Sequence, residues 1–207
     1  MPVSHGQVRA WVEAFAAAVA EQKVALTDLD RAIGDGDHGI NMDRGMRAVV
    51  DKLAGDDVGG QLRTVGMTLL SKVGGASGPL YGTFFIEMGK AVGASAELSD
   101  ADLVSAVEAG IEGVRKRGKA EPGDKTMVDA LLPALDALRE AVDGGADLGT
   151  ALARAADAAE RGRDATEPLV ARKGRASYLG ERSAGHVDPG ATSTALLFRT
   201  AASTLAP

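Results

Sequence analysis

Apolar residues recur at helical spacing along almost the whole chain, and runs that alternate polar with β-branched residues are nearly absent. The pattern predicts about eight helices, over roughly 7–28, 41–54, 58–73, 79–93, 99–118, 125–142, 147–164 and 189–206. Several carry chemical start signals. Ser77 ahead of Gly78-Pro79 offers a hydroxyl cap with a proline in the first turn, and Ser99, Asp124 and Asp188-Pro189 do the same for later helices. Pro133 falls inside the sixth segment and is expected to kink it.

The first residues lack the basic start and continuous apolar centre of a secretory signal, and Glu13 and Glu21 bracket their most apolar stretch. No apolar run approaches the ~20 residues that cross a bilayer. With no Pro/Ser-rich linker and no repeat, residues 1–207 are expected to form one all-α domain of a cytoplasmic protein.

Composition sharpens this picture. Only 3% of the residues are aromatic, so a core must be built mainly from Ala, Leu and Val, whose small side chains favour closely spaced helices. There is no cysteine, which removes disulfides and thiolate metal sites. A net charge of -6 argues against nucleic acid as a partner for a broad basic surface. Clusters such as Arg115-Lys116-Arg117 are short and sit beside acids, so a membrane partner is not expected either.

The chain has 27 glycines, most of which are expected in loops that converge at one end. They gather at 34–39, 74–78, 118–123 and 174–190, each between one predicted helix and the next, where backbone N–H groups can approach a ligand. The first cluster matches G-x-G-x-x-G literally, but no strand precedes it, and Asp35 and Asp37 stand where a pyrophosphate would meet the backbone. As an EF-hand loop it fails too, with Ile40 at the glycine position and Met46 at the glutamate position. What remains is Asp30, Asp35 and Asp37, carboxylates whose convergence needs a hard cation such as Mg²⁺, Ca²⁺ or Mn²⁺. An acidic turn of caps and solvated charges is the other reading, and a histidine such as His38, taken alone, is more often a hydrogen-bonded structural residue than a ligand.

Anion-binding groups lie elsewhere in the chain. Ser77 and Thr83 are expected around a helix N-terminus suited to phosphate. The segment from Ala171 to Ser177 supplies three cations, and Arg175, between glycine and alanine, is poorly explained by packing. Asp188-Pro189-Gly190 caps the last helix with free backbone donors. Together these groups suggest a nucleotide whose phosphates meet divalent ions.

Four strings carry a resemblance that runs from the first helix to the last. They are Asp30 to Met42, Gly74 to Thr83, Gly118 to Met127, and Gly174 to Ser183 followed by Asp188 to Ser193. In these the chain resembles the nucleotide-binding L subunits of bacterial dihydroxyacetone kinases. The resemblance implies an antiparallel up-and-down barrel of about eight helices with the nucleotide at one end. It implies that Asp30, Asp35 and Asp37 hold two Mg²⁺ that bridge the phosphates of ADP or ATP. His38, Gly39, Ile40 and Asn41 would line the nucleotide, with Ala76 and Ser77 at the phosphates. Gly118 and Met127 would border the adenine, and Asp188, Pro189 and Gly190 would complete the wall. Arg175 is implied as the catalytic group, neutralising phosphate charge, with no general base in this chain and no nucleophilic role for His38.

Such subunits occur in two modes, fused in ATP-dependent kinases or free-standing with ADP kept as a cofactor. Because the chain runs from Met1 to Pro207 with no second domain, the free-standing mode is expected. The implied partners are a dihydroxyacetone-binding kinase subunit and a phosphohistidine-carrying subunit of the phosphoenolpyruvate phosphotransferase system, while the oligomeric state, monomer or homodimer, stays open. Three carboxylates and an ADP of about -3 sum to about -6, which two Mg²⁺ offset far better than one. Two other functions fit the same residues: an ATP-dependent kinase subunit for another small ketose or polyol, and a nucleotide-loaded signalling module acting on a transcription regulator.

Overall fold

The computed structural model describes residues 2–53 and 57–206. The helices among them are α1 (His5–Glu21), α2 (Lys23–Ile33), α3 (His38–Lys52), α4 (Val58–Lys72), α5 (Ser77–Val92), α6 (Asp100–Gly118), α7 (Val128–Asp143), α8 (Leu148–Ala165) and α9 (Pro189–Thr204). A 3₁₀ segment, Arg175–Ser183, lies between α8 and α9, and strands β1 (Val3–Ser4) and β2 (Glu97–Leu98) pair antiparallel. The expected helix end at Ala54 and the domain limits Met1 and Pro207 lie outside the described residues.

The helices pack in a ring. Moving round it, α1 meets α3, then α4, α5, α6, α7 and α8 follow in sequence, and α9 closes against α1. The closure is sealed by the buried Trp11 indole, which donates to the Leu197 carbonyl at 3.0 Å. This is the expected eight-membered barrel, with one difference at its start. The single helix predicted over 7–28 divides at Gln22 (φ -89°, ψ 6°) and continues as α2 as far as Ile33. The break was hidden because hydrogen bonding carries through it, Gln22 N–H to Ala18 O at 3.0 Å and Leu26 N–H to Gln22 O at 2.9 Å.

Two expected starts are wrong. Ser77 does not cap α5 but is its first residue, its hydroxyl engaged with His38 instead. The seventh helix begins at Val128 rather than 125, because Asp124 accepts from Glu121 N–H while Asp129 accepts from Gly123 N–H and Thr126 N–H, holding 121–127 as a turn. Ser99 and Asp188 do cap their helices, Ser99 through a reciprocal pair with Asp102. Helix α7 runs through Pro133, and the Asp129 carbonyl that the proline cannot engage lies against Gly162 of α8.

The core is as aromatic-poor as composition requires, filled by Val, Leu and Ala around Phe15, Tyr81, Phe84 and Phe85. Among the described residues more glycines lie inside helices than in loops, a correction to the expectation that most fall in loops converging at one end. Their purpose is helix contact. A methyl group on Gly66 of α4 would sit 2.5 Å from the Gly82 carbonyl of α5, and one on Gly59 would collide with Gly93 O. The two backbones therefore touch with no side chain between them.

In an up-and-down ring, alternate connections share an end. The α2–α3, α4–α5, α6–α7 and α8–α9 connections lie together at one end and line a common cavity. The opposite end is closed by β1 on β2 and by Val58 N–H donating to Ser95 O at 2.9 Å.

Candidate metal and phosphate site

Asp30 ends α2 on the buried side, and one of its carboxylate oxygens accepts from Asp37 N–H at 2.8 Å and His38 N–H at 3.1 Å. It therefore caps α3 across the intervening turn. The turn can close this tightly only with Gly34, where any side chain would run into the other Asp30 oxygen, and with Gly36 at φ +71°. Asp37 occupies the cap position of α3 without spending its side chain there. As a result Asp30, Asp35 and Asp37 present one oxygen each within 4.8 Å of one another. An all-oxygen, all-carboxylate set at this spacing fits a hard divalent cation, and Gly34 leaves room for the second Asp30 oxygen to take part.

The cavity beside the cluster measures about 400 Å³. Ala76 and Ser77 form one edge, Arg175 another, and Asp188, Pro189 and Gly190 a third. Across from the cluster, α5 and the α6–α7 connection line it with the apolar Leu80, Val114, Ala120, Met127 and Val128 and with Gly118, interspersed with Arg117, Lys125 and Thr126. A carboxylate cluster on one side and a mainly apolar surface on the other suit a ligand that is anionic at one end and planar and apolar at the other.

His38 is buried, with Nδ1 2.9 Å from Ser77 Oγ and Nε2 2.9 Å from Ser193 Oγ. Burial pushes its pKa down to about 4 against the pull of Asp30, so the ring is neutral at pH 7. Asp188 caps α9 by accepting from Ala191 N–H at 2.7 Å, and burial raises its carboxyl to about 7. Arg175 stands at the mouth, its Nε 3.0 Å from Asp35 Oδ2.

Not every expected residue faces the cavity. Gly39 packs α3 against the Lys23 carbonyl and Thr27, Ile40 is 46% exposed, and Asn41 lies beside Gly74 with its carbonyl oxygen held by Arg44 at 2.7 Å. The N–H groups of Gly39 and Ile40 lie in the first turn of α3. Thr83, expected near the phosphates, instead faces a separate groove with Glu87, Glu112 and Lys116 between α5 and α6.

Sequence reasoning also missed Lys125. It is 1% exposed and has a left-handed backbone (φ +64°). Its ammonium donates to the carbonyls of Thr166, Glu167, Leu169 and His186, with Nζ–O distances of 2.5 to 3.3 Å. Burial lowers its pKa, while Asp188 and Glu167 act in the other direction. This one cation ties together both ends of the segment that carries Arg175 and Asp188. No local pattern announces it, because its acceptors are backbone atoms more than 40 positions away.

The fold and site thus define an all-α barrel with, at one end, an oxygen-ligand cluster and a cleft that is mainly apolar on its other side. Residues 32–203 match the family model described as the DAK2 domain, and the chain belongs to that family. It is 47% identical over 202 residues to the ADP-binding subunit of the PEP-dependent dihydroxyacetone kinase of Escherichia coli, covering 96% of each chain. It is 51% identical over 195 residues to the corresponding subunit of kinase 1 of Listeria innocua, covering 91% of this chain and 90% of that one. Among solved structures it is similar to the dihydroxyacetone kinase of C. freundii in complex with AMP-PNP and Mg²⁺, with a TM-score of 0.71 and 28% identity. That likeness covers 98% of this chain, which spans about a third (34%) of the kinase.

Proposed function

We propose that this chain is the ADP-binding subunit of a phosphoenolpyruvate-dependent dihydroxyacetone kinase. In that role it would hold ADP, through which a phosphoryl group would be relayed from a phosphohistidine protein, the donor, to dihydroxyacetone held by a partner subunit, the acceptor. The observation that carries the reading is the convergence of Asp30, Asp35 and Asp37 within 4.8 Å on a cleft whose other side is mainly apolar. Similarity over nearly the whole length of free-standing ADP-binding subunits supports the same reading.

Asp30, Asp35 and Asp37 would hold Mg²⁺, which supplies charge neutralisation to phosphate oxygens. The rest is the work of this chain's own groups. Ser77 and the first turn of α5 would hold phosphate, Arg175 at the mouth beside Asp35 would offset its charge, and Asp188 to Gly190 would complete the wall. His38 and Ala76 complete the phosphate side together with the first-turn N–H groups of Gly39 and Ile40, Asn41 supports that turn from behind, and Gly118 and Met127 form the adenine side. We assign no general base among the described residues of this chain, and the acceptor hydroxyl would lose its proton on the partner.

Among the described residues no helix is long and apolar enough to cross a membrane, and we place the protein in the cytoplasm, with residues 1–207 as one nucleotide-binding domain. Native mass spectrometry of the purified protein is expected to show bound ADP with two Mg²⁺. Phosphoryl transfer to dihydroxyacetone is expected with phosphoenolpyruvate and the phosphotransferase proteins, not with ATP alone. Protein that binds no ADP at millimolar Mg²⁺ would overturn the reading.

The likeness to a kinase in complex with AMP-PNP and Mg²⁺ favours a second reading as to the donor, an ATP-dependent kinase subunit. Turnover with ATP as sole donor would select it.

A further inference from the structure

Behind the phosphate edge of the cleft, five side chains form one hydrogen-bonded line: Ser77, His38, Ser193, Tyr81 and Thr194. Its links are Ser77 Oγ to His38 Nδ1 at 2.9 Å, His38 Nε2 to Ser193 Oγ at 2.9 Å, Ser193 Oγ to Tyr81 OH at 2.7 Å, and Tyr81 OH to Thr194 Oγ1 at 3.1 Å. Ser193 and Thr194 are fully buried on α9 and Tyr81 is 1% exposed on α5, so no solvent relieves an unmatched donor.

The direction of the line follows from its closed end. Tyr81 is the hydrogen-bond partner of the Thr194 hydroxyl, and a buried hydroxyl proton needs an acceptor, so Thr194 donates to Tyr81. Tyr81 then sends its own proton to Ser193 at 2.7 Å in preference to the Gly190 carbonyl at 3.4 Å. Ser193 has two acceptors to choose from. Gly190 O, at 3.1 Å, already takes the helical N–H four residues on, whereas His38 Nε2 is nearer at 2.9 Å and has no other partner. Donation to Nε2 leaves the imidazole proton on Nδ1, which donates to Ser77 Oγ. The Ser77 proton is then left for the cavity that this residue lines.

We propose that Tyr81 and Ser193 are positioning residues. They fix His38 in its Nδ1–H tautomer and thereby make the Ser77 hydroxyl a hydrogen-bond donor to a phosphate oxygen. With the opposite tautomer, Ser77 would spend its proton on His38 and turn only lone pairs toward an anion. A line of bonds all pointing one way also polarises each member in favour of the last donor. The inference rests on the nucleotide reading for its ligand, but the order of the bonds is a property of the free protein.

Two measurements test it. Long-range ¹H–¹⁵N correlation on the nucleotide-free protein, with His38 assigned by its loss in His38→Gln, is expected to show a protonated Nδ1 and an acceptor-type Nε2. An Nε2–H ring would overturn the proposal. In Ser193→Ala and Tyr81→Phe, the ring is expected to populate both tautomers and the Kd for ADP at saturating Mg²⁺ to rise about tenfold, with the circular dichroism spectrum unchanged. Unchanged affinity in both folded variants would overturn the donor role of Ser77. Wild-type protein with the Nδ1–H ring that bound no ADP would refute the nucleotide reading while leaving the order of the bonds established.

Discussion

Arg175 Nε lies 3.0 Å from Asp35 Oδ2, so the cation at the mouth of the cleft rests on one of the three carboxylates of the candidate metal cluster. Both groups are solvent-accessible, and a pair of this kind contributes little to stability. Its effect falls on ligands: a divalent ion and Arg175 compete for the same oxygen. Arg175→Ala is expected to tighten binding of Mg²⁺ alone by a few-fold while weakening ADP at saturating Mg²⁺ by ten-fold or more. Titration calorimetry with and without nucleotide separates the two.

Asp30 and Asp35 should differ when removed, although both belong to the cluster. Asp30 also caps α3 by accepting two backbone N–H groups, whereas Asp35 is solvent-facing with Arg175 as its partner. Asp30→Ala is expected to lose about 1–2 kcal/mol of stability, and Asp35→Ala close to none. Both should abolish retention of ADP and Mg²⁺. Urea unfolding of the metal-free proteins beside native mass spectra checks both halves.

Two buried groups give the metal-free protein opposed pH dependences. His38, lowered to about 4 from 6.5, leaves the folded state with fewer protons than the unfolded chain between those values, so its contribution to stability grows as pH rises from about 4 to 6.5. Asp188, raised from 3.8 to about 7, keeps a proton in the folded state that the unfolded chain has lost, so its contribution falls as pH rises from about 4 to 7. In the wild type the slopes largely cancel. His38→Gln is expected to show stability falling with pH across that window, and Asp188→Asn to show it rising, by up to about 3 kcal/mol each. Unfolding free energies measured from pH 4 to 8 test the sign.

Lys125→Met should strand four carbonyls and release the segment that carries Arg175 and Asp188. A loss of about 3 kcal/mol is expected. The sharper check is hydrogen exchange, which should speed up across residues 166–188 before it does in α4 and α5.

Gly59→Ala and Gly66→Ala should each cost about 2–3 kcal/mol, since the added methyl meets backbone of α5 or its exit rather than a side chain that can move. Thermal unfolding would register this with ADP affinity unchanged, because both sites lie away from the cleft.

The barrel was legible because the helices bury apolar residues at helical spacing, mostly Val, Leu and Ala but Tyr81, Phe84, Phe85 and Met88 in α5, and several announce their starts, Ser99 and Asp188 through side chains that do cap. Ser77 and Asp124 misled because the same polar atoms serve partners outside their own helix, His38 in one case and the turn at 121 in the other. The acidic cluster could be read because its members lie within eight positions. The glycines of α4 and α5, Lys125 and the 3₁₀ segment could not. Their reasons are contacts with backbone that is distant in sequence, which no local pattern encodes. Thr83 shows the converse: it is close in sequence to the phosphate edge, yet it lies on a different face of α5.

The ring of α1 and α3–α9 puts the strand pair at one end and the carboxylates at the other. A helix of 16 residues such as α9 separates them by about 24 Å. The barrel is therefore a spacer as well as a container. A tether joined to the strand-pair end could pull, rotate or crowd that end without reaching the cleft, and the four connections that surround the carboxylates would stay free to dock end-on.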